Sequence, residues 1–150
     1  MARSLDIETL IEDAFLTVLP TYVGSDVEVA RWEDIKNKVL TASVRINATT
    51  VDEVDGTMNL YCASNVIVDF GVFTSKRIDE NGKTGNSIKA TVRNLINQDD
   101  IVTQLNTASE GLLVYNNGII PQSSIDIPDS KVWQKNISIL VVATTEEVTP

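Results

Sequence analysis

The chain has 150 residues, 43% of them hydrophobic and 22% charged, with 21 acidic against 12 basic side chains and a formal net charge of -9. That length suits a single domain over 1–150 with a real core, and that composition excludes a wholly disordered chain. The acidic balance repels phosphate and disfavours a surface that grips nucleic acid, although any one Asp or Glu is explained by solubility alone. Residues 5–19 carry apolar side chains at three- and four-residue spacing (Leu5, Ile7, Leu10, Ile11, Ala14, Phe15, Val18, Leu19) and read as a core-facing amphipathic helix. Ser4 is the expected N-cap, Asp6 and Glu8 suit the first turn, and Pro20 and Gly24 end it.

Residues 26–39 begin like a strand at Val27 and Val29 and go on at helical spacing through Trp32, Ile35 and Val39, which predicts a strand-like start and a short helix. From Thr41 the period falls to two. Ala42, Val44, Ile46 and Ala48 alternate with polar residues, as in a half-buried strand. The acidic run over 52–56 predicts a turn, and Met58, Leu60 and Cys62 predict a further strand. Residues 65–74 form another, with Val66, Val68, Phe70 and Val72 on one face and Ile67, Asp69, Gly71 and Phe73 on the other. Links this short imply antiparallel neighbours.

Residues 76–86 are polar, hold two glycines and predict a mobile loop. A helix is expected over 87–98 on Ile88, Val92, Leu95 and Ile96, then a short helix capped by Asp99 or Asp100 and punctuated by Gly111. Residues 112–115 read as a short strand, Asn116-Asn117-Gly118 as a hairpin-like turn and 125–128 as a short extended piece. The last strand, 133–144, is apolar on both faces in its second half and so belongs inside a sheet. The tail from Glu146 to Pro150 is expected to fray. The fold class is therefore α+β, a mostly antiparallel β-sheet with an N-terminal helix and one or two helices packed on one face.

Tests for chemistry come back negative. The chain has no histidine and one cysteine, which removes the usual general base, the usual zinc ligand and any internal disulfide. Gly82-Lys83-Thr84 follows a strand and precedes a helix, but Arg77 stands where a phosphate loop needs its first glycine, and the expected helix starts late. A calcium loop registered on Gly82 puts Arg77 at the first ligand position and Ile88 at the twelfth. Asp52 with Asp55 and Asp126 with Asp129 fall in expected turns, where Asp serves the backbone. Cys62 shares the apolar face of Met58 and Leu60, as a buried inert thiol does. Trp32 and Trp133 sit beside charged residues, where Trp serves either as an interface residue or as a lid on the core. No catalytic, metal or cofactor-binding residue is assigned and no cofactor is expected. No leader segment or membrane-length apolar run is seen, so a soluble chain made in the cytoplasm is expected.

The layout resembles the tail-terminator (tail-completion) proteins of long-tailed bacteriophages. The resemblance rests on the helix over 5–19, the strand Asn65-Val-Ile-Val-Asp-Phe-Gly-Val-Phe73, the polar loop after it, the helix over 87–98 and the ending Trp133-Gln-Lys-Asn-Ile-Ser-Ile-Leu-Val-Val142. Residues 26–39 depart from that layout. The resemblance implies a homohexameric ring that caps the tail tube, ends its polymerisation and joins the tail to the head's neck proteins. It also implies a pore through which DNA passes without specific binding, and residence in the virion after assembly in host cytoplasm.

Independently of that likeness, strands apolar on both faces need a second cover, from helices or from another subunit. The expected subunit or tail-tube interface comprises Lys76, Arg77 and Lys83 in the loop, together with Trp133. The alternatives are a head-completion or neck connector, a small carboxylate- or metal-dependent enzyme, and a monomeric binding module.

Overall fold

Why one face of each strand is apolar becomes plain when the strands are assembled. The computed structural model describes residues 6–32, 42–54, 63–129 and 131–145. In chain order these form α1 (Ile7–Val18), α2 (Pro20–Val23), β1 (Glu28–Arg31), β2 (Ser43–Val54), β3 (Ala63–Ser75), α3 (Lys83–Ile96), α4 (Ile101–Ala108), β4 (Leu112–Ile127) and β5 (Val132–Thr145). The strands make one sheet in the order β1-β2-β3-β5-β4. β1 is parallel to β2, and every other pair is antiparallel. This is the expected α+β architecture, with β5 inside the sheet between β3 and β4.

The core lies between the helices and one face of the sheet. Across the strands, Ile46 pairs with Phe70 and Phe70 with Ile137, and Ala48, Val68 and Ile139 form the next row. All six are buried. α1 turns Ile11, Ala14, Phe15 and Val18 to this face, the spacing of a single helical stripe. Its Phe15 ring meets Phe70 edge-on, at 4.9 Å between centroids and 82° between planes, the favoured geometry for aromatic pairs. α3 adds Ile88, Val92, Leu95 and Ile96, and α4 adds Ile101 and Leu105.

Several local expectations are corrected. α1 is capped by Asp6, whose carboxylate accepts from the amides of Glu8 and Thr9, and not by Ser4, which lies outside the described residues. Val27 and Val29 do lead into a strand, but the helix expected after Trp32 falls mainly on residues outside the description, as do Met58, Leu60 and Cys62 and the tail over 146–150. Asp52, Glu53 and Val54 belong to β2 and pair with Asn65, Ser64 and Ala63, so the acidic run does not turn there.

The pieces read as 112–115 and 125–128 are one strand, β4. Asn116-Asn117-Gly118 is not a hairpin turn but a bulge. The register steps from Val114↔Ala143 to Ile119↔Val141, so residues 115–118 stand against Val142 alone. Asn117 takes the left-handed conformation (φ 58°), and a Cβ on Gly118 would lie 2.7 Å from the carbonyl oxygens of Tyr115 and Val142. The residues that look like a turn are needed for a tight bulge.

Candidate assembly surfaces

The turn between β3 and α3 carries two of the four expected interface residues, Lys76 and Arg77, with Lys83 opening the helix after it, and it is tightly built. α3 begins at Lys83, four residues earlier than its apolar spacing predicts, so residues 76–82 alone link the two elements. Asp79 organises them. Its carboxylate accepts from Thr74 Oγ1 (2.9 Å) and from the amides of Thr84 (3.2 Å) and Gly85 (2.9 Å), while its own carbonyl accepts from Trp133 Nε1 (2.6 Å). Burial pushes the Asp79 carboxyl up, but the amides of Gly85 and Thr84 and the Thr74 hydroxyl outweigh it and hold the group below the ordinary aspartate value.

An early helix start removes one objection to a phosphate loop at Gly82-Lys83-Thr84. A stronger one replaces it, because the amides that would meet a phosphate already hold Asp79. The loop expected to be mobile is thus pinned from both sides. Lys76 is part of that pinning, with Nζ 4.5 Å above the Trp133 ring and bonded to the Asp129 carbonyl at 2.5 Å. Trp133, half-buried, therefore serves this turn. Arg77 and Lys83 are exposed, and Ile78, 71% exposed, is the most exposed large hydrophobic side chain among the described residues.

Helix side chains meet a stretch of the sheet at each side. β1 covers only Ser43–Ile46 of β2. Beyond it, α1 takes over: Glu12 Oε2 accepts from the Ala48 amide (2.9 Å) and Glu8 Oε2 from the Thr50 amide (2.5 Å). Four helical residues rise about 6 Å and two strand residues about 6.6 Å, so carboxylates one turn apart match amides two residues apart. Arg31 of β1 binds Glu12 (3.0 Å) and Asp13; burial opposes its charge, and these two carboxylates more than restore it.

At the other edge, Asn106 of α4 stands in for a strand. Its Oδ1 accepts from the Val114 amide (2.7 Å) and its Nδ2 donates to the Val114 carbonyl (3.3 Å). Further along β4, Pro121 has no amide to offer, and the register shifts again between Pro121 and Ser123.

The face of the sheet away from the helices is different. One row across it runs Thr49–Ile67–Leu140–Ile120, the next Asn47–Asp69–Ser138–Ser123, and the third Arg45–Gly71–Asn136–Ile125. Residues of the first two rows are half-buried or exposed, with Ile120 at 42%, and Ile125 in the third row reaches 56%. In these rows Arg45 and Asp69 are the only charges.

Trp32 covers the end of this face. A Cβ on Gly71 would fall 2.6 Å from Trp32 Cη2 and Cζ3, so only glycine leaves room for the indole. Phe73 meets Trp32 edge-on at 5.5 Å, and Arg45 lies 4.0 Å over the Phe73 ring. Between Trp32 and Ile125 opens a cleft of about 500 Å³ lined also by Asn47, Asp69, Asn136 and Ser138. The Ser138 hydroxyl donates to the Asp69 carboxylate. In the sequence Asp69 signals itself only as a lone acid in a run of Val, Ile and Phe.

The carboxylate pairs separate. Asp129 does close a turn, accepting from the amides of Lys131 (2.8 Å) and Val132 (3.3 Å). Asp126 is instead within β4 and pairs with Lys135 (3.3 Å) and Lys89 (3.7 Å), and Asp55 lies outside the described residues. Among the described residues, no three Cys, Asp or Glu gather as they would around a metal ion, and no helix is long and apolar enough to cross a membrane. No family model matches the sequence, and no curated protein matches it either.

Proposed function

We propose that the chain is a structural subunit that assembles with copies of itself into a ring, as a tail terminator of a long-tailed phage. The ring would cap the tail tube, end its polymerisation, meet the neck of the head and let DNA pass. In this reading the chain catalyses nothing and resides in the virion. One observation supports the assembly part: among the described residues, one face of the sheet carries no helix and is poor in charge.

Loss of charge, rather than gain of apolar area, is what marks the centre of a protein interface. For a chain of net charge -9 it is also the face on which a second acidic copy meets least repulsion. Four strands about 4.8 Å apart and some 30 Å long make a face of roughly 600 Å², close to the ~800 Å² that each partner contributes to a stable interface.

The ring itself is tested by negative-stain electron microscopy of the purified protein. Annular particles with a central hole, six-fold in class averages, are expected. Fields of single small particles at every concentration would contradict the ring.

A further inference from the structure

We infer that the cleft between Trp32, Asp69 and Ile125 receives the β3–α3 turn of a second copy, with Arg77 entering the cleft and Ile78 covering it. The inference rests on the assembly reading above and names its contact. The lining sets the chemistry. Asp69 is the one charged group in it, the Trp32 indole forms a wall, and Asn47, Asn136 and Ser138 supply polar atoms around the carboxylate. A carboxylate beside an aromatic wall, ringed by hydrogen-bonding side chains, suits a guanidinium, which pairs with the acid and stacks on the ring. The volume, about 500 Å³, accommodates more than one side chain.

The turn supplies the matching shape. Lys76 is occupied by Trp133 and the Asp129 carbonyl. Arg77 beside it is exposed, and among the described residues its guanidinium has no ion-pair partner. Ile78 next to it is 71% exposed. Asp79 fixes the backbone beneath both, so little ordering cost falls on docking.

The turn does not reach the cleft of its own chain. Asp69 lies six residues before the end of β3, about 20 Å along the strand. The turn also folds toward the helix side, where Asp79 meets Trp133 and α3. Contact between unlike surfaces is heterologous, and such contacts close into rings when the rotation permits.

Two variants and their mixture test this by light scattering. Arg77→Ala keeps the cleft and spoils the turn; Asp69→Lys keeps the turn and spoils the cleft. Each alone should run as a single 16.4 kDa subunit under conditions where the wild type assembles. Mixed in equal amounts, the two should form a species of twice that mass, through the one intact junction between Arg77 of one variant and Asp69 of the other.

Thermal melts establish that each variant is folded. Should Asp69→Lys unfold, Asp69→Asn replaces it, with an expected rise of at least tenfold in the concentration for half-assembly. Folded variants that assemble like the wild type, or a mixture that stays at the subunit mass, overturn this contact and leave the assembly reading standing. A wild type that is monomeric throughout overturns both.

Discussion

Asp79→Ala should lower the stability of the subunit by about 3 kcal/mol, one for each donor that loses its acceptor, since a typical net hydrogen bond contributes ~1 kcal/mol and those to a charged group more. The donors are Thr74 Oγ1 and the amides of Thr84 and Gly85, all within 3.2 Å of the carboxylate. Two of them are first-turn amides of α3, which no other side chain caps. For a chain of this size the melting temperature should fall by roughly 9 °C, read by circular dichroism.

The pH dependence has a definite sign. The folded-state carboxyl sits below the ordinary value of 3.8, so its contribution is present above that value and is lost as pH falls through the lower folded-state value. The difference in stability between wild type and Asp79→Ala should therefore be constant above about pH 5 and shrink below about pH 4. A difference that holds unchanged into strong acid would mean that Asp79 acts through packing and not as an ionised acceptor.

Glu12→Ala should lower stability by about 2–3 kcal/mol and also change behaviour at high concentration. Glu12 is 8% exposed, with one oxygen on the Ala48 amide and the other on Arg31 Nε. Its removal leaves a buried amide unpaired and Arg31 held by Asp13 alone, and breaking one half of a largely buried pair is costly. The second consequence follows from the place of that amide. Ala48 and Thr50 lie on β2 beyond the reach of β1, where, among the described residues, α1 meets the edge amides that another chain would otherwise pair with.

Glu8→Ala with Glu12→Ala should therefore give aggregates of continuously growing mass, unlike the discrete species expected of the wild type. Sedimentation velocity separates the two. A double variant that is destabilised yet shows the wild-type distribution of masses would show that the edge needs no such guard.

What could be read from the sequence, and what could not, divides along the range of the interactions involved. β3 and β5 are legible because their alternation follows from one buried face, a property of each residue's neighbours two positions away. α1 is legible for the same reason at helical period. The start of α3 is not legible because its cap is not at the usual position. Gly82 precedes the helix, and the carboxylate that meets its amides comes from Asp79, three residues further back and folded over.

Asn116-Asn117-Gly118 reads as a turn because a bulge has the same steric need, and local chemistry does not distinguish the two. Glu8 and Glu12 show in the sequence only as helix residues, since their targets are about forty positions away on β2. The cleft was invisible for the same reason. Asp69, Asn136 and Trp32 are neighbours only once β3 has paired with β5 and Trp32 has settled over Gly71. Of the four residues expected at an interface, Lys76 and Trp133 stabilise the turn, while Arg77 and Lys83 are exposed.

Assembly is the claim on which the rest depends, and native mass in solution tests it most directly, by light scattering across a wide range of protein concentration. A discrete species well above the 16.4 kDa subunit is predicted, near 98 kDa if six copies close a ring. A subunit mass that holds at every concentration would contradict it, and would leave the face of the sheet that no described helix covers as the seat for a different protein.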